Sequence, residues 1–129
     1  MLKRVLVVDD DPPVVELLRQ ALSGAGFRVA TAPDGAHGLL ATEALRPDLV
    51  VLDAMMPVMD GFQVLRTLRE RPATADLPVI MLTSLGGDTD VTRGWAGGVD
   101  CYLTKPFDVG EVVAMVTRMV ESDGGEPPA

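Results

Sequence analysis

The chain has 129 residues, 19 Asp and Glu against 11 Lys and Arg, a formal net charge of −8 and a sequence pI near 4.4. That length fits one domain, and 47% hydrophobic residues supply a full core, which excludes general disorder. The acidic balance predicts no direct nucleic-acid binding and no attraction to anionic membrane, since like charges repel.

The first residues run straight into Lys3-Arg4-Val5, without the apolar core of a signal peptide. No apolar run reaches the length of a membrane span, so the expected location is the cytoplasm. The single Cys101 cannot form an internal disulfide and reads as a small buried or half-buried apolar residue.

A first strand is expected over residues 5–8, and it ends in Asp9-Asp10. Asp11 is placed to cap a helix that opens with Pro12 and carries Val14, Val15, Leu18, Ala21 and Leu22 on one face. Gly24 and Gly26 stop it. A more mixed strand, as an edge position would give, follows at 27–30. The second helix starts near Asp34 and ends before Pro47, with His37 on its solvent side. A third strand at 49–52 leads into Asp53. The third helix runs from about Gly61 to Arg71, with Phe62, Leu65 and Leu68 inward.

The fourth strand, 79–82, ends in Thr83-Ser84. A weak fourth helix is expected over 86–98, where five glycines each cost about 1 kcal/mol relative to alanine. Trp95 lies in that stretch. The fifth strand, 99–103, is again mixed and is followed by Lys105-Pro106. Asp108 and Glu111 form a capping pattern for the last helix, whose face is Val109, Val112, Val113, Val116, Met119 and Val120. The domain is drawn over 1–121, and 122–129 reads as a linker or flexible tail. The seven methionines, Met55 and Met56 included, read mostly as core filler.

Strand and helix alternating five times imply an α/β fold: a doubly wound parallel sheet of five strands, order 2-1-3-4-5, with helices on both faces. In such a sheet the ligand crevice lies at the carboxyl ends of the strands, where the strand order reverses, between strands 1 and 3. Asp9, Asp10, Asp53, Thr83 and Lys105 all fall at that edge. Three carboxylates together need a proton or a cation among them, and all-oxygen ligation suits Mg²⁺. Lys105 adds a fixed positive charge and Thr83 a donor, which together cradle phosphoryl oxygens. Asp53, alone at the central strand's end, is then the nucleophile.

The motifs Val7-Val8-Asp9-Asp10, Leu52-Asp53-Ala54-Met55-Met56-Pro57, Met59-Asp60-Gly61, Leu82-Thr83-Ser84 and Tyr102-Leu103-Thr104-Lys105-Pro106-Phe107 occur in this order. The chain resembles the receiver domains of bacterial two-component response regulators over about residues 2–121. The resemblance implies a flavodoxin-like, CheY-like fold and a phosphoryl group accepted by Asp53 from a sensor histidine kinase or phosphotransfer protein. It also implies Mg²⁺ held by Asp10 directly, by Asp9 mostly through water, by Asp53 and by the backbone carbonyl of Met55. Thr83 and Lys105 would hold the phosphoryl oxygens, the Lys105-Pro106 peptide would be cis, and Thr83 with Tyr102 would form a switch.

The resemblance further implies a downstream protein on the face of helix 4, strand 5 and helix 5, and it admits an activation-dependent homodimer. Such a domain is not an enzyme beyond its own phosphorylation and dephosphorylation. Loss of the phosphoryl group should be slow, because Met55 and Leu85 cannot orient an attacking water. Two rival functions fit less well. A Mg²⁺-dependent phosphatase of the haloacid dehalogenase type would need an acid where Met55 stands. A receiver that only binds, without phosphorylation, would not need Asp10, Asp53, Thr83 and Lys105 together.

Overall fold

Three strands owe their place at the centre of the sheet to unbroken apolar runs, which can be covered on both faces. They are β1 (Arg4–Val8), β3 (Leu49–Asp53) and β4 (Val79–Thr83), buried throughout except at Arg4. The more polar β2 (Arg28–Ala32) and β5 (Cys101–Thr104) take the edges. All pairings are parallel, and the order is β2-β1-β3-β4-β5. This computed structural model describes residues 2–84 and 98–123. The helix expected over 86–98, with Trp95, lies outside them apart from Gly98, as does the tail from residue 124.

The period-two alternation of each strand divides the core into two layers. Val5, Val7, Leu49, Val51, Ile80 and Leu82 face α1 (Pro12–Gly24) and α4 (Val109–Asp123), where Leu18, Leu22, Val112, Val116 and Val120 are buried. Leu6, Val8, Val50, Leu52, Val79 and Met81 face α2 (Gly35–Leu45) and α3 (Gly61–Glu70) and meet Leu39, Phe62, Val64, Leu65 and Leu68. Among the described residues no helix is long and apolar enough to cross a membrane.

The helix starts show how local chemistry sets the frame. Asp34 accepts a hydrogen bond from the His37 backbone N–H at 2.8 Å and caps α2, and His37 is solvent-exposed. Asp108 accepts from Gly110 N–H at 2.8 Å at the start of α4. Asp11 departs from expectation: it occupies the N-cap position of α1, but its side chain makes no capping bond. Pro13 lacks one of the two N–H groups that a cap would accept. The backbone N–H of Asp11 instead donates to Asp9 Oδ1 at 2.9 Å.

An unforeseen cap holds α3. Asp60 Oδ1 accepts from Gln63 N–H, and Gln63 Oε1 accepts from Asp60 N–H, both at 2.9 Å. Replacing Asp60 with Ala should lower stability by about 1 kcal/mol, read as a shift of the urea midpoint at unchanged slope. An unchanged midpoint would show that the box adds nothing.

Candidate functional site

β1 turns one way to β2 and β3 lies on its other side, so the crevice opens above these two strands. Val8 pairs with Leu52, which brings the next residues, Asp9 and Asp53, side by side. Both are buried, whereas Asp10 is exposed. One carboxylate oxygen from each of Asp9, Asp10 and Asp53 lies within 4.8 Å of the others, an acidic cluster able to hold a metal ion.

Across β4, Lys105 follows β5 and reaches back over the sheet. Its Nζ donates to Asp9 Oδ2 at 3.0 Å and stands 3.4 Å from Asp53 Oδ1. Its backbone N–H donates to Thr83 O at 2.8 Å, and the Lys105–Pro106 peptide is cis. Thr83 closes β4 as a buried residue, one position beyond the Leu82 that pairs with Asp53. Tyr102 is half-buried in β5 opposite Met81, against the α2–α3 layer of the core.

Met55 is placed differently from the sequence reading. Its backbone N–H donates to Asp53 Oδ1 at 3.2 Å, but its side chain is half exposed and fills no core. Chain direction explains this: the strand ends at Asp53, and residues 54–60 leave the sheet before α3. Met56 is buried. Leu85 lies outside the described residues. Cys101 is half-buried, as expected, and burial pushes its thiol up, away from the reactive thiolate.

The electrostatics favour a cation. Burial, then the charge of Asp9, pushes the Asp53 carboxyl up to about 6, against the opposing pull of the Met55 N–H and Lys105. Burial pulls the Lys105 ammonium down, but its hydrogen bond to Asp9 and the charges of Asp53 and Asp9 outweigh that, and the net shift is upward. One ammonium thus serves two buried acids, with the exposed Asp10 beside them. Oxygen donors alone, crowded and partly buried, suit a hard divalent ion.

The family model of the response regulator receiver domain matches residues 5–117. This chain belongs to that family. As a receiver domain of response regulators it is a signalling domain of two-component phosphorelays. It is 44% identical over 126 residues to the DNA-binding dual master transcriptional regulator RpaA of Synechocystis, covering 98% of this chain and 52% of that protein. It is 44% identical over 127 residues to the DNA-binding response regulator MtrA of Mycolicibacterium smegmatis, covering 98% and 54%. The receiver spans about half the length of these curated relatives.

Among solved structures, it is similar to the receiver domain of the sensor histidine kinase PA1611 from Pseudomonas aeruginosa PAO1, which carries a magnesium ion in its active site cleft. The TM-score is 0.86 at 28% identity, over 95% of this chain and 100% of that one.

These matches correct one expectation. The acidic charge predicted no direct nucleic-acid partner, yet both relatives are DNA-binding proteins. A net charge of −8 sums the surface of one receiver, and half of each relative lies beyond the match. The charge of a receiver domain does not report what a protein that carries one binds.

Proposed function

We propose that Asp53 accepts a phosphoryl group from the phosphohistidine of a sensor kinase, in the cytoplasm, with Mg²⁺ held by Asp10, Asp9, Asp53 and the Met55 carbonyl. The observation that carries this reading is the reach of Lys105 Nζ to both Asp9 and Asp53 inside a cluster of three acids. The ion, when bound, would offset the charge of the incoming phosphoryl oxygens.

The remaining work falls to the chain itself. An Asp53 oxygen attacks phosphorus in line, the bond from phosphorus to the donor nitrogen breaks, and the freed imidazole takes up a proton. A mixed carboxylic–phosphoric anhydride results. The Met55 N–H on Oδ1 fixes one carboxylate oxygen and so orients the other. Lys105 turns its charge from Asp53 to a phosphoryl oxygen, and Thr83 donates its hydroxyl to another.

The domain turns over no other substrate, and Met55 leaves hydrolysis of the anhydride slow. Output through DNA binding is named for RpaA and MtrA, whose length this receiver half covers.

The metal assignment has a direct test. Asp10→Asn should weaken Mg²⁺ binding about tenfold or more in calorimetric titration, since it removes one charged ligand at an exposed position. The same change should leave the fold intact, because Asp10 is not buried. Unchanged Mg²⁺ affinity would remove Asp10 from the ligand set.

A further inference from the structure

We propose that Gly61 is a positioning residue for Asp53, and that α3 reaches the phosphorylation site through backbone contact at this one position. The inference rests on Asp53 being the phospho-acceptor.

After Asp53 the chain leaves the sheet for residues 54–60 and returns so that Gly61 N–H donates to Ala54 O at 3.0 Å. At this closure Gly61 lies directly against the strand end. A Cβ there would stand 2.3 Å from Asp53 O, 2.8 Å from Ala54 Cα and 3.0 Å from the Asp53 carbonyl carbon. All three are backbone atoms, which cannot rotate away as a side chain would. Glycine is needed here for space, the third of its ordinary uses after turns and helix ends.

The Asp53–Ala54 peptide is therefore held from two sides. Ala54 N–H donates to Leu82 O at 2.8 Å, which ties it to β4, and Gly61 presses from α3. The Asp60–Gln63 box fixes the first turn of α3, so the contact is rigid. A second close approach supports the loop from outside: a Cβ on Gly35, at the start of α2, would lie 3.0 Å from Met59 O.

Between these anchors the chain carries strain. Val58 is fully exposed with φ 71, and Met59 N–H bonds back to Pro57 O at 2.8 Å. A β-branched residue adopts that conformation only where its surroundings impose it. Any side chain at position 61 must displace the backbone that carries the nucleophile, and with it the placement of Asp53 against Lys105.

The test compares initial rates of labelling by acetyl phosphate with Mg²⁺, per folded molecule and well below the melting midpoint. Gly61→Ala should be slower by about 10²-fold, as a displacement near 1 Å gives, with half-saturation by acetyl phosphate unchanged. Two controls separate positioning from stability. Gly24→Ala meets nothing within 4 Å and should label like the parent chain. Leu22→Ala, buried at the far end of α1, should lose stability yet label at the parent rate per folded molecule.

Labelling of Gly61→Ala at the parent rate, or reduced only in proportion to its folded fraction, overturns the proposal. Asp53→Asn run in parallel keeps the two readings apart: labelling that persists there refutes the acceptor assignment whatever Gly61→Ala does. A second measurement needs no variant and no metal. By hydrogen exchange in the metal-free parent chain, the amides of Ala54 and Gly61 should open with the same free energy, as one unit. A Gly61 amide that exchanges freely while Ala54 stays protected means that α3 moves independently of Asp53, and also overturns it.

Discussion

Asp53→Asn is expected to abolish labelling by acetyl phosphate and by a phosphohistidine donor. Asparagine keeps the shape of aspartate but offers no anionic oxygen to attack phosphorus. The same substitution should raise stability in the metal-free protein at neutral pH. Burial and Asp9 push the Asp53 carboxyl up to about 6, from an ordinary value of 3.8. The folded state therefore binds the proton more tightly than the unfolded state, and stability falls as pH rises from about 4 through 6.

Asn at this position removes that dependence. In chelator, the parent chain and Asp53→Asn should have similar melting midpoints near pH 4 and diverge above pH 6, with the variant higher. A variant that melts lower at pH 8 would mean that Asp53 is a net stabilising charge in the folded chain, against the burial argument.

Lys105→Gln should slow labelling by about 10²–10³-fold, the usual loss for one preorganised donor to a developing anion. It should also cost stability, because the buried Asp9 loses its ammonium partner at 3.0 Å and Asp53 loses its neighbour at 3.4 Å. Breaking a fully buried pair costs roughly 3–5 kcal/mol, and the partial exposure of the lysine brings the expectation to about 2 kcal/mol. Mg²⁺ should restore more of the variant's stability than of the parent's, since a second cation can satisfy the same acids and binding to the folded state adds stability by mass action. Urea denaturation with and without Mg²⁺ reads both quantities. Near-parental labelling by Lys105→Gln would take the lysine out of phosphoryl stabilisation.

Much of this could be read from the chain because the signals are local. The β1, β3 and β4 runs are continuous in Val, Leu, Ile and Met, and each stops at the polar residue that builds the site. Mixed composition marks β2 and β5 as edges, yet β2 begins at Arg28 and extends to Ala32, beyond the expected 27–30. Mixed composition blurs where a strand begins.

Interactions that depend on three-dimensional approach were not legible. Asp11 is the exception: with Pro12 opening the helix, Pro13 falls at the second helical position, so its missing capping donor is written in the sequence. Met55 looked like core because methionine usually is, and only the exit of the chain after Asp53 turns it to solvent. The Asp60–Gln63 box was open to a reading of acid and amide three residues apart. Gly61 stood within a recognised motif, but its role rests on a contact with Asp53 eight residues back. The DNA-binding character of the relatives has no trace in the charge of this chain, which reports one domain's surface.

An acyl phosphate on Asp53 can be sought by peptide-level mass spectrometry of the chain after brief exposure to acetyl phosphate and Mg²⁺. The expected result is one phosphoryl group per chain, on the peptide containing Asp53, removed by neutral hydroxylamine and absent when Mg²⁺ is chelated. A phosphoryl group that resists hydroxylamine, or that maps to Thr83, Ser84 or His37 with Asp53 unmodified, would contradict it.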